Sequence, residues 1–285
     1  MNIINTWQFW VIIYLFSAIM FSQSFKRSNR NMNDAGSLTI LLEVCTGIVS
    51  LIMMPIFVTK FNVDLKIIST ILMIICIYAI TDRLNIEARY GLETSTYSMV
   101  KRLSTVFMII FGFIFLKEEV VLNKVFGALI IIIGNIILTY NKGKFEINKY
   151  FIMATFAQLL FAIAMIINVG LSSNFNLAFY TYITTTGPAI LISLFGKHSF
   201  KDLNKEFKLC DKKFFIIASI GWALMLNSSI RAYQLGSVVV VASLFSLTPI
   251  LNSLFEFIVY KNKERIVQKV IVSILLIIGV ILVNL

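Results

Sequence analysis

Apolar residues gather in long runs, among them Leu41 to Val58, Ile67 to Ile80, Val125 to Leu138 and Val270 to Val283, separated by short stretches that hold charges, glycines and asparagines. These runs reach or approach the roughly 17–25 residues that a helix needs to cross ~30 Å of hydrocarbon. Set against their polar breaks, they predict ten helical spans near 7–25, 37–59, 67–86, 91–116, 124–140, 149–170, 177–195, 212–232, 236–260 and 266–284. The first run follows an uncharged Met1 to Thr6 with no basic segment before it and no small-residue cleavage site after it, which predicts a retained span. Pro55, Pro188 and Pro249 all fall inside predicted spans. Around Pro188, the run Thr184 to Gly187 predicts either unwound backbone lining a pathway or hydroxyls that cap the carbonyls released by the proline.

Composition agrees with the pattern. Hydrophobic residues make up 59% of the 285 and charged residues 14%, against about a quarter charged in soluble domains. A water-soluble core cannot hide that much apolar surface, so the expected fold is an all-α polytopic membrane protein. The formal charge of +11 is spread over short connections rather than gathered into a patch with aromatic platforms, which points to lipid headgroups and away from nucleic acid. Cys45 and Cys76 fall in spans and Cys210 in a loop, an odd number without metal-ligand spacing. The single histidine, His198, has no thiol beside it and belongs to no nucleophile or metal pattern. Neither an enzyme nor a cofactor is expected.

A shift of 145 residues lays Gly91 on Gly236, Ser98 on Ser243, Glu119 on Glu264, Lys124 on Lys269 and Gly134 on Gly279. It also lays Tyr14 to Met20 on Leu159 to Met165. The chain therefore reads as two five-span repeats, residues 1–145 and 146–285, within one transmembrane domain. An odd number of spans per repeat makes the second enter the bilayer in the opposite sense. Such an inverted pair favours alternating access to a central site, and two halves in one chain make a monomer sufficient while leaving a dimer possible.

The stretch Leu244 to Leu251, with Pro249, followed by Glu264 and the span containing Gly279, resembles the ten-span EamA-type members of the drug/metabolite transporter superfamily. The first half is similar through Leu103 to Val106, Phe115 to Glu119 and Gly127 to Gly134, with Ser104 in the place of Pro249. The resemblance implies a secondary transporter for a small metabolite, such as an amino acid or another small organic solute. A lipid-handling, flippase-like protein or a non-transporting membrane protein shares the same gross features. A bacterial plasma membrane fits the Ile-, Lys- and Asn-rich composition.

Ionisable residues inside spans are costly and are the first places to look for function. Asp82 and Lys101 lie about 12 and 16 Å from the turn near Tyr90, at ~1.5 Å per residue, and can meet at similar depth. Arg83 and Glu87 are one helical turn apart. Two ion pairs in this hairpin would leave Arg102 as a cation for an anionic substrate group; the alternative is that Lys101 and Arg102 snorkel or pair only to fix helix contacts. Glu43, about two turns into its span, is a candidate proton-coupling carboxylate or a partner for a lysine. Glu256 is expected to snorkel or pair locally near Lys261 to Arg265. The second half offers neutral groups: Asn227 and Ser228 opposite Asp82 and Arg83 by the 145 shift, and Ser246, Thr248 and Asn252 around Pro249, with Gln158 in the sixth span. They either line a cavity opposite Lys101 and Arg102 or bond helix to helix.

The connections after the odd-numbered spans hold 17 of the 25 Lys and Arg, those after the even-numbered ones 5. The positive-inside rule places the first set in the cytoplasm and both termini outside. The family resemblance implies the reverse.

Overall fold

A computed structural model describes residues 3–29, 31, 33–92, 94–116, 121–139, 147–261 and 266–284. Thirteen α-helices occupy them: α1 Trp7–Ser28, α2 Ala35–Ile52, α3 Leu65–Gly91, α4 Thr94–Lys101, α5 Leu103–Phe115, α6 Leu122–Thr139, α7 Lys149–Leu171, α8 Leu177–Gly196, α9 Phe200–Leu209, α10 Lys212–Leu235, α11 Val238–Phe245, α12 Thr248–Tyr260 and α13 Ile266–Asn284. Among the described residues the only extended pairing is one bridge between Phe61 and Phe175. The protein is an all-α polytopic membrane protein. Seven stretches are long and apolar enough to cross a bilayer: α1, α2, α3, α7, α8, α10 and the α11–α12 pair taken together; Leu103–Phe115, Leu122–Gly134 and Val267–Val283 are shorter apolar helices. Polar residues set the starts. Asp34, Asp64, Asn148, Asn176, Asp211 and Ser237 each accept bonds from the first-turn amides of the helix that follows, filling donors that would otherwise be orphaned.

Each predicted span holds a helix, with four departures. The second stops at Ile52, so that Pro55, expected inside it, lies beyond its end in a 3-10 turn over Met54–Ile56. The fourth and ninth are broken in their middles, into α4 and α5 around Arg102 and into α11 and α12 around Ser246 and Leu247. The loop after the seventh span holds α9, whose start is a capping box between Ser199 and Asp202. Around Pro188, by contrast, α8 runs unbroken. Thr184, Thr185 and Thr186 donate to the carbonyls of Tyr180, Thr181 and Tyr182, a turn earlier than the carbonyl the proline frees. Neither the unwinding nor the capping expected there takes place. Glu119 and Glu264 lie outside the described residues.

The helices pack in pairs that follow the 145-residue shift. Helix α1 lies against α10 and α7 against α3, while α2 lies against α8 and α6 against α13. Adding 145 to α1 and α3 gives α7 and α10, so the first two pairs exchange; α2 with α8 and α6 with α13 are each a helix with its own counterpart. Both self-paired couples run antiparallel. A Cβ on Gly36 would meet His198 and one on Gly47 would meet Thr186; Gly127 lies against Val283 and Gly134 against Leu276.

Candidate functional site

The two helix breaks share one backbone conformation. Arg102 has φ −74° and ψ −17°, Leu247 has φ −73° and ψ −15°. Behind each, the amide three residues on returns to the carbonyl: Thr105 N to Arg102 O at 3.1 Å and Ile250 N to Leu247 O at 3.0 Å. These positions are 145 apart. A broken helix leaves polar ends at mid-depth, where unbroken helices present none.

At this level five side chains converge. The Tyr14 hydroxyl of α1 lies near Thr248 and near the Arg102 guanidinium. Thr248 donates its own proton to the Phe245 carbonyl at 2.7 Å. Phe245 stacks on Tyr14 with ring centroids 3.6 Å apart and meets Tyr233 of α10 edge-on at 5.3 Å. Arg102 Nε is buried and without a hydrogen-bond partner, and no acid pairs with Arg102 among the described residues. A guanidinium offers five donors and accepts nothing. One held beside the Tyr14 ring with an unfilled donor has the chemistry to receive a carboxylate or phosphate oxygen.

The other expected site residues separate from this centre. Lys101 is exposed, its ammonium over the Tyr97 ring at 5.9 Å, so the adjacent cations diverge at the break. The expected Asp82–Lys101 pair is not among the ion pairs of the described residues; Asp82 lies beside Glu43. The Arg83–Glu87 pair does form, at 2.8 Å. Asn227 is fully engaged in helix packing: it donates to Ser50 Oγ at 2.8 Å and to the Ala223 carbonyl at 2.9 Å, and accepts from Thr181 Oγ1 at 3.0 Å. Ser228 donates to the Leu224 carbonyl of its own helix at 2.5 Å. Gln158 donates to Asn85 Oδ1 at 3.0 Å, which also accepts from Tyr97 at 3.2 Å.

Asn252 lies nearer one end of the bundle, bonded to Ser22 and to Gln23 at 3.3 Å. Beyond it Lys26 pairs with Glu256 at 3.5 Å and Arg27 bonds the Tyr260 hydroxyl. Together they tie α1 to α12. Glu256 was expected to pair within its own connection, and Lys26 of α1 takes that place. Tyr14 and Tyr233 escaped the sequence reading because tyrosines in apolar runs look like core. Their signal was the hydroxyl, which must find a partner when buried in a span.

Three comparisons bear on this arrangement. The model of the EamA-like transporter family matches residues 5–140. Among the solved structures, 28 chains match; one, described as "Crystal structure of protein", superposes with a TM-score of 0.75 at 12% identity, over 96% of this chain and 94% of its own. At that identity the likeness speaks for the fold alone. No curated protein matches the chain.

Proposed function

We propose that the chain is a member of the family whose model matches residues 5–140, the EamA-like transporters, and that it is a secondary transporter for a small organic solute bearing an anionic group. The observation that carries the substrate class is the Arg102 guanidinium, held at a mid-membrane helix break with a buried donor unfilled and the Tyr14 and Thr248 hydroxyls beside it. A solute carboxylate or phosphate fills that donor, and the rings of Tyr14, Tyr233 and Phe245 accept its apolar part.

The mechanism proposed is alternating access between two inverted repeats, residues 1–145 and 146–285. Its support is the matched pair of breaks and the antiparallel run of each self-paired couple, the relation that a pseudo-two-fold axis in the membrane plane requires. The proposed site takes Tyr14, Arg102, Tyr233 and Thr248 from both halves, so rocking one half against the other exposes it to each side in turn. Contributions from four separate spans favour an enclosed solute site over a groove open sideways to lipid.

The test is a thermal-stability screen of the purified protein with anionic, zwitterionic and cationic metabolites and with lipids, beside Arg102→Gln. A ligand that binds only the native state raises the melting temperature. Stabilisation by an acid, lost in the variant, is the expected result. Stabilisation by cations or lipids alone would overturn the anion site, and lipids alone would favour the lipid-handling reading.

A further inference from the structure

A second polar cluster lies between α2 and α3. Glu43 is 4% exposed, and the carboxyl of Asp82 is its acidic neighbour. Two carboxylates have acceptors only, so a hydrogen bond between them requires a proton on one of them. Without it, two adjacent negative charges in a medium of low dielectric would repel strongly. The pair is therefore one acid with one exchangeable proton.

The surroundings leave room for exchange. Glu43 Oε2 is buried with no partner, as are the hydroxyls of Thr46, one turn further along α2, and of Thr81, next to Asp82. A carboxyl pair that served packing alone would have these atoms satisfied. Asp82 is the acidic group that faces Glu43. Tyr78, one turn from Asp82 on α3, lies near it and accepts from Asn168 Nδ2, which belongs to α7; Asn168 in turn accepts from Tyr180 of α8. Helix α8 also brings Tyr182, Thr185 and Thr186 against α2 at Gly47, and α10 brings Asn227 to Ser50. From α9, Glu206 reaches only the opposite end of α2, where it accepts from the Asn33 amide. The line from Glu43 to Tyr180 crosses from α2 and α3 to α7 and α8, that is, between the two proposed halves.

We propose that Glu43 and Asp82 form a one-proton binding site, occupied while the α2–α3 face is shut and emptied to water when it opens, which couples solute movement to the proton gradient. On opening, the carboxylic O–H bond breaks, the proton passes to water and the pair gains one negative charge. The coupling rests on the transporter reading above, whereas proton binding does not.

Infrared difference spectra of the reconstituted full chain, taken across pH steps with choline as the only added cation, read the protonated carboxyl directly and need no solute. We expect a protonated-carboxyl band that titrates as a single group, disappears in Glu43→Gln, and survives in Glu256→Gln, which removes a carboxylate paired elsewhere. Asp82→Asn is the second variant, and melting curves establish that each is folded. Absence of the band from the parent protein would overturn the proposal. So would its persistence in both Glu43→Gln and Asp82→Asn, or its loss when sodium replaces choline, which would make the pair a metal-cation site. Coupling is then read with the acid found in the stability screen. A one-unit pH gradient should drive about tenfold accumulation by the parent protein and none by Glu43→Gln, which still exchanges solute for solute. Parent-level accumulation by Glu43→Gln would reject coupling, whatever the outcome at Arg102.

Discussion

Asn227 and Arg102 show how differently two polar residues in a membrane core can be placed. Asn227 spends both ends of its amide on α2, α8 and its own helix. Replacing it with alanine leaves Ser50 its bond to the Ala178 carbonyl and Thr181 its bond to the Leu177 carbonyl, so little is orphaned. We expect Asn227→Ala to lower stability by about 1 kcal/mol, the low end of the range for a buried hydrogen bond, and to leave acid-induced stabilisation intact in the melting assay. For Arg102→Gln the expectation is opposite on both counts: unchanged or higher basal stability, because an unpaired buried cation is removed, with ligand stabilisation lost. Sequence alone ranked the two together, since spacing gives a residue's depth and helix but not its partners. Arg102 was legible because a charge in a span is rare. Tyr14 was not, because its ring hides a hydroxyl inside an apolar run.

At the scale of the helix, the apolar helices were legible in hydrophobic run length, seven of the described stretches being long enough to cross a bilayer, whereas the two breaks were only half legible. Pro249 marks one of them, but the equivalent Ser104 carries no such mark, and the match emerges only from the backbone angles at Arg102 and Leu247. If those positions are equivalent, position 104 accepts proline. Ser104→Pro should melt within a few degrees of the parent, because losing the Ser104 hydroxyl bond to the Lys101 carbonyl is offset by about 0.4–1 kcal/mol from a stiffer unfolded chain. Thr105→Pro, one residue on, removes the amide bonded to Arg102 O and should cost ~3 kcal/mol or more. The start of α2 sits outside the span and is open to pH. Burial of Asp34 pushes its carboxyl up, but bonds from Ser37 and Gly36, with His198 beside it, outweigh that and hold it below its ordinary value of 3.8. A depressed carboxyl stabilises the fold fully above its unfolded value and loses that contribution as pH falls through the folded one. Melting temperatures should therefore hold near neutrality and drop below pH ~4, with a smaller drop in Asp34→Asn, which still caps the helix.

For the molecule as a whole, helices related by the 145-residue shift pack together as α2 with α8 and α6 with α13, and the glycines decide how closely. A Cβ on Gly127 would lie 2.5 Å from the Gly279 carbonyl oxygen, backbone that cannot swing aside, whereas one on Gly170 would meet nothing within 4 Å. Gly127→Ala should lower stability by about 1–3 kcal/mol, and Gly170→Ala should leave it equal or raise it by up to ~1 kcal/mol. Orientation was not legible, because loop charge and family resemblance point opposite ways. A single cysteine at exposed Lys205 on α9, in a background without Cys45, Cys76 and Cys210, should resist an impermeant maleimide in intact cells if the charge count governs. Rapid labelling would put the termini in the cytoplasm. The tie between α1 and α12, finally, has no polar twin. Where it sets Lys26, Glu256, Asn252 and Tyr260, the counterpart helices α7 and α5, which also pack together, carry Leu171, Phe111, Phe107 and Phe115. Dissolved salt screens an ionic latch and, when strongly hydrated, tightens a greasy one. Under the alternating access proposed above, added salt is therefore expected to loosen the α1–α12 tie and not the α7–α5 contact.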